Sequence, residues 1–286
     1  MNTVLKYLTS VAVVLSFSSC TEEIDFDLNT KENNRLVVEG KITDQQKAHQ
    51  IKLTRTTSYY YTESPPLETG AVVTITDGTN TYTLNETSPG IYETAPTVKG
   101  EINKTYTLNI TTQNGEEYSA TATMFRTAPI DTILVEKVDY VGDRGVLYKG
   151  YELQHFGPEP VGVGDYYLWD VYLNGQKLTD TISFSKLTFV SDEFVDGNYI
   201  VKFGVYVIDE KYINPGDTVD VTVELRSISK DYYNFLIDIW EETEAQQGLF
   251  SGPPANVCTN VTNGGLGFFE ASAVTEKKIK VWYLPN

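Results

Sequence analysis

The sequence predicts a mainly β protein: an N-terminal sandwich of immunoglobulin or transthyretin type, followed by a second β domain that carries one amphipathic helix. Three observations lead there. Tyrosine dominates the aromatics, with 20 Tyr against 12 Phe and 3 Trp, and Tyr and Thr suit pleated, half-buried surfaces. Short apolar stretches alternate with period two between Gly, Asn and Asp turns. Only residues 229–247 place apolar side chains at the three/four spacing of a helix. With 286 residues, 41% of them hydrophobic, the chain can fill one large core or two ordinary ones.

The first nineteen residues stand apart from that fold. Lys6 is their only charge, residues 8–17 are an apolar run broken by Thr9, Ser10 and Ser16, and Ser18-Ser19 precede Cys20. This is the layout of a secretory signal peptide, too short in its apolar core to span a bilayer. A Cys directly after two small residues resembles the lipobox of bacterial lipoproteins, although Phe17 stands where Leu is commoner. The resemblance implies that Cys20 becomes the first residue, diacylated on its thiol and acylated on its amino group. The competing reading is an ordinary thiol beyond a conventional cleavage site. Each buried methylene contributes roughly 0.8 kcal/mol, so several acyl chains would hold the protein on a membrane. Residues 20–34 then read as an acidic tether, with Glu22, Glu23, Asp25, Asp27 and Glu32. They resemble the surface-export signal of Bacteroidota lipoproteins, and also suit a plain charged spacer. The expected location is the outer membrane, lipid-anchored, at the cell surface or the periplasmic face.

The expected sandwich spans 35–127. Residues 36–42 form a short apolar strand, and 50–56 alternate as a strand with one wet face does. Residues 71–78 run into a turn answered by 81–84 as a hairpin. Residues 90–93, 105–112, the Asn114-Gly115 turn and 117–123 complete a set of about seven strands. Residues 128–131, Ala-Pro-Ile-Asp, read as a linker to the second domain, 131–286. There 132–140, 148–153, 166–173, 199–207 and 218–227 read as strands, with Asn174-Gly175 and Pro215-Gly216-Asp217 as turns. Ser229 and Asp231 suit a helix start and Gly248 its stop. The helix is expected to bury Phe235 and Trp240 against strands 218–227 and 277–284.

Several motifs, in this order, resemble a Bacteroidota lipoprotein family catalogued as a domain of unknown function, number 4249. They are Leu36-Val37-Val38-Glu39-Gly40-Lys41-Ile42-Thr43-Asp44, then Gly70-Ala71-Val72-Val73-Thr74-Ile75-Thr76-Asp77, then Ser191-Asp192-Glu193-Phe194 with Asp196-Gly197. Tyr232-Tyr233-Asn234-Phe235-Leu236 and Asn260-Val261 with Gly265-Leu266-Gly267-Phe268-Phe269 follow. The resemblance implies a partner of a TonB-dependent outer-membrane transporter, and it supplies no catalytic residues.

The residues themselves offer little chemistry. A net charge of −17 without a basic stripe repels phosphate backbones, which excludes nucleic acid as a partner. His49 and His155 are the only histidines, far apart, and no phosphate loop, Gly-x-Ser-x-Gly elbow or His-Glu-x-x-His is present. His49 reads as a surface residue at a strand start and His155 as part of a loop. Cys258, with no second Cys left for a disulfide, reads as a small buried hydrophobe. The oxygens of residues 192–198 could form a calcium-binding turn, but among 39 acids accidental clustering is the default, so no metal and no cofactor are assigned. Tyr59, Tyr60 and Tyr61, beside Pro65-Pro66, are candidate contacts for a ligand or partner; packing under a neighbouring domain is the alternative. The expectation is an accessory or substrate-binding lipoprotein rather than an enzyme. The other reading is a structural or adhesive envelope sandwich without a small ligand.

Overall fold

A computed structural model describes residues 34–57, 64–141, 145, 147–179, 186–245 and 257–283. Cys20, the tether up to residue 33, Tyr59 to Tyr61 and Gly248 lie outside them. The chain is mainly β, in several sheets. Seven strands come first: β1 (Leu36–Thr43), β2 (Gln50–Arg55), β3 (Val72–Thr76), β4 (Thr81–Ser88), β5 (Ile91–Glu93), β6 (Thr105–Thr111) and β7 (Glu117–Thr123). In β6, Tyr106, Leu108 and Ile110 are buried while Thr105, Asn109 and Thr111 are exposed, the alternation that a sheet with one wet face requires.

These strands do not close the sheet by themselves. Its order is β15-β1-β2-β5-β4-β3-β6-β7, where β15 (Leu266–Ser272) comes from the far end of the chain and pairs in parallel with β1, Val37 opposite Leu266. The sheet turns over at β4, whose first half pairs with β3 and second half with β5. Its ends meet again where Ala120 bridges Val261 and Phe125 bridges Ser272. One core, including Leu36, Ile51, Leu108 and Phe269, fills the result. Gly267 makes the parallel pairing possible, since a Cβ there would stand 2.1 Å from the Val38 carbonyl oxygen.

The second half adds β8 (Thr132–Val141), β9 (Leu147–Pro158), β10 (Tyr166–Leu173), β11 (Gln176–Lys177), β12 (Thr188–Ser191), β13 (Tyr199–Asp209), β14 (Thr218–Ile228) and β16 (Val274–Trp282). An antiparallel β8-β9-β13 sheet and a β11-β10-β14-β16 sheet, with β12 also on β10, enclose a second core around Trp169, Tyr151 and Val221. Asn174 and Gly175 both take positive φ, 48° and 82°, as a two-residue hairpin turn demands.

The expected division into 35–127 and 131–286 is crossed in two places. β15 completes the first sheet, and after the buried Ala273 the same extended run becomes β16 of the second. The expected linker is packed as well, with Ala128 and Ile130 in the second core. Residues from Asn34 onward therefore form one compact unit.

The helix, α1 (Lys230–Trp240), begins where expected, with Ser229 Oγ accepting from the Tyr232 amide at 3.1 Å. Regular α geometry ends at Trp240 and gives way to a π turn, Glu241–Ala245, where acidic Glu241 and Glu242 oppose the helix dipole. Its bed is the expected one only in part, at the end of β14. Leu236 is buried against Leu168 and Ile228, Tyr233 meets Tyr166 and Phe189, and Tyr232 and Phe235 meet Phe268 of β15. Phe235 is half-buried and Trp240 is 42% exposed, so neither is the fully buried side chain that was expected, while the adjacent Ile239 still packs on this bed. Leu236→Ala should cost about 2–3 kcal/mol, the low end for a core leucine because a surface helix can settle into the gap. Trp240→Ala should cost about 1 kcal/mol. Urea denaturation of the two variants checks the order, and a larger loss for Trp240→Ala would contradict this packing.

Candidate functional site

β8 and β9 are long strands joined as a hairpin, in register so that Tyr140 lies opposite Tyr148. The two rings stack at 5.6 Å and 27°. Gly150 clears room for them, since a Cβ there would meet the Tyr140 ring at 3.0 Å and the Ile208 carbonyl at 2.8 Å. β13 is irregular beside them, with register shifts between Ile200 and Phe203 and between Gly204 and Tyr206, and with Lys202 at φ 58°. Such bulges bend a strand and sharpen its twist.

A cleft of about 900 Å³ lies where residues of this three-stranded sheet face residues of β11 and β12. Tyr140, Tyr148, Tyr206 and Tyr212 supply its aromatic surface, while Gln176, Thr188, Lys177, Lys186, Lys211, Glu152 and Asp209 supply its polar groups. Much of the polar set is held in place. Lys211 Nζ donates to Asp209 Oδ2 at 2.8 Å and stands 5.0 Å from the Tyr212 ring centre. Burial alone would raise the Asp209 carboxyl; hydrogen bonds from Lys211, with a smaller one from Tyr140, hold it below its usual range. Burial, with Asp209 adding to it, pushes the Tyr140 hydroxyl up. Gln154 Nε2 donates to Glu152 Oε2 at 2.6 Å, and Gly204 leaves space for that carboxylate. Lys177 Nζ reaches the buried Asp170 at 2.9 Å.

A family model described as a domain of unknown function, DUF4249, matches residues 21–278. The chain belongs to this family. No curated protein matches the sequence. The DUF4249 match takes in the helix, every residue that lines the cleft and all the strands but the end of β16.

The other residues singled out in this DUF4249 chain fall elsewhere. His49 is 2% exposed and His155 fully buried, against the expectation of a surface and a loop residue. β9 continues through His155 to Pro158, paired on both sides, where a loop was expected. The Thr43 amide can only donate, so His49 Nδ1 accepts it at 3.3 Å and Nε2–H donates to the Val98 carbonyl. The Trp169 indole donates to His155 Nδ1 at 3.4 Å, which leaves the proton on an Nε2 without a partner among the described residues. Burial pushes both imidazoles down to about 4. Cys258 is exposed rather than buried, and its thiol is pushed up to about 12, by the protein packed around its sulfur and then by Asp238 and Asp231. At neutral pH it stays a thiol, which is the unreactive form.

Folding does bring Asp192 and Asp196 of the candidate calcium turn together, and it adds Glu159, with one oxygen of each within 4.8 Å of the others. Backbone amides already use these oxygens: Gly164 donates to Asp192, Gly162 to Asp196 and Gly197 to Glu159, which also accepts from the Tyr167 hydroxyl. The cluster thus ties loop 159–165 to turn 192–198.

Sequence reading missed the cleft. Tyr140 and Tyr148 end and begin two consecutive predicted strands, so a hairpin assignment would have paired them. The lysines and Thr188 approach only through tertiary packing.

Proposed function

We propose that this DUF4249 protein is a lipid-anchored lipoprotein of the outer membrane that captures a small ligand in the cleft and serves a TonB-dependent transporter beside it. The observation that carries the reading is the cleft itself: about 900 Å³, with aromatic rings and polar groups presented by β-strands. That volume falls in the range of small-molecule sites. Binding without turnover is favoured by the state of the titratable groups, since both imidazoles are locked in cores and the thiol is kept protonated. A poised base or activated nucleophile is what catalysis at neutral pH usually needs. The anchor follows from Cys20 behind Ser18-Ser19, and the transporter from the family resemblance.

Isolation of the tagged, full-length protein from outer membranes in mild detergent should recover an integral transporter in comparable amount. Cys20→Ala should leave the precursor uncleaved by the lipoprotein peptidase and without acyl chains. Recovery of the protein alone at low salt, with no integral partner crosslinked in intact cells, would favour the structural or adhesive reading. Carbonate-resistant anchoring of Cys20→Ala would remove the lipid from the account.

A further inference from the structure

Resting on the capture reading, we infer that the cleft takes a neutral oligosaccharide. The inference comes from matching ligand chemistries to the lining. The polar set is mixed in sign, with Lys177, Lys186 and Lys211 against Glu152 and Asp209. An anionic ligand would meet both carboxylates, and two of the three lysines are already committed to Asp170 and Asp209. A cationic ligand would meet Lys186, the lysine here without an acidic partner among the described residues. A purely apolar ligand would strip water from all five charged groups and return no hydrogen bonds, which is costly. Hydroxyl groups suit the whole set, because each both donates and accepts.

The aromatic part points the same way. Tyr140 and Tyr148 form a stacked pair, Tyr148 is 40% exposed and Tyr212 51% exposed. Flat, electron-rich faces of this kind attract polarised C–H groups, and the axial face of a pyranose carries several of them. A peptide added along β13 is the nearest competitor, since strand addition needs free backbone groups at an edge. The Thr188 hydroxyl already donates to the Val205 carbonyl at 2.6 Å, in the middle of the β13 segment that lines the cleft. A strand added there would have to do without that carbonyl.

The test uses the mature, unlipidated chain on a printed array of neutral glycans, acidic glycans and peptides, followed by calorimetry with the best neutral hit. Binding to neutral oligosaccharides is expected, and Tyr148→Ala should weaken it at least tenfold. Tyr148→Trp, which keeps a ring, should retain it. Trp282→Ala, exposed and outside the cleft, should bind like the parent chain. An unchanged melting temperature for Tyr148→Ala shows that the loss is not unfolding. Binding confined to acidic glycans or peptides, no binding to any neutral glycan, or equal binding by Tyr148→Ala each overturns the inference. The two proposals fail separately: a transporter co-purified with a chain that ignores neutral glycans leaves capture standing without the sugar. Glycan binding by a chain that purifies alone does the reverse.

Discussion

Asp170→Asn is expected to destabilise the protein by about 3–5 kcal/mol, the cost of breaking a buried ion cluster by removing one member. Asp170 is fully buried on β10, and Arg226 Nε meets it at 2.8 Å, Lys177 at 2.9 Å and Lys41 at 3.5 Å. Arg226 in turn meets Glu270 of β15 at 2.8 Å. Burial pushes the Asp170 carboxyl up, but Arg226, Lys41 and Lys177 outweigh it and hold the group well below the usual carboxylate range. Without that charge, the buried Arg226 would keep Glu270 as its only acidic partner among the described residues, and Lys41 and Lys177 would lose theirs. The cluster also joins the two sheets that enclose separate cores, since Lys41 and Glu270 belong to the first and Asp170 and Arg226 to the second. Urea denaturation should therefore still give one transition for the parent chain, and an earlier one for Asp170→Asn. Lys41→Met gives the contrast. The Lys41 ammonium is pushed down to about 8 by burial and by Arg226, so its charge is held at a cost, and its loss should be close to neutral. A loss below about 1 kcal/mol for Asp170→Asn would mean that water reaches the cluster.

Acidification from pH 7.5 to pH 5 is expected to cost about 4 kcal/mol through the two histidines. Each folded imidazole titrates at about 4 against an ordinary value of 6.5, because burial disfavours its charged form. The unfolded chain therefore binds more protons than the folded one across that interval. The histidine contribution is complete above about pH 6.5 and is lost as the pH falls toward 4. The local geometry agrees with the sign: a second proton on His49 would face the Thr43 amide, and on His155 the Trp169 indole. Relief of repulsion in a chain of net charge −17 works in the opposite direction, so the variants isolate the effect. His49→Gln and His155→Gln together should flatten the fall in stability between the two pH values. If parent and double variant lose stability equally, the histidines are not responsible.

Most strands were legible because period-two alternation and turn residues are local signals. β6 and β7 around Asn114-Gly115 and β10 around Asn174-Gly175 follow directly from them. The start of α1 at Ser229 was legible for the same reason, since capping depends on residues three apart. Burial of the far side of a strand was not. On β10 and β14 the second core takes Trp169, Val171 and Leu225, which leaves Leu168, Asp170, Arg226 and Ile228 on the opposite face. Asp170 and Arg226 mark that face as wet, yet all four residues are buried there. The histidines mislead similarly, because a polar side chain looks the same in sequence whether water or a backbone carbonyl satisfies it.

By itself the sequence determined the strand segments, their turns, the one helix and the order of family motifs, all properties of residues close together along the chain. Tertiary structure alone decided that Leu266–Ser272 completes the first sheet beside β1 and that Asp170 becomes an interior charge. It also decided that Tyr140 and Tyr148 share a cleft with Lys186 and Thr188. Partner choice between distant strands depends on which apolar faces and unpaired backbone edges remain after local structure has formed, and no short-range pattern carries that information.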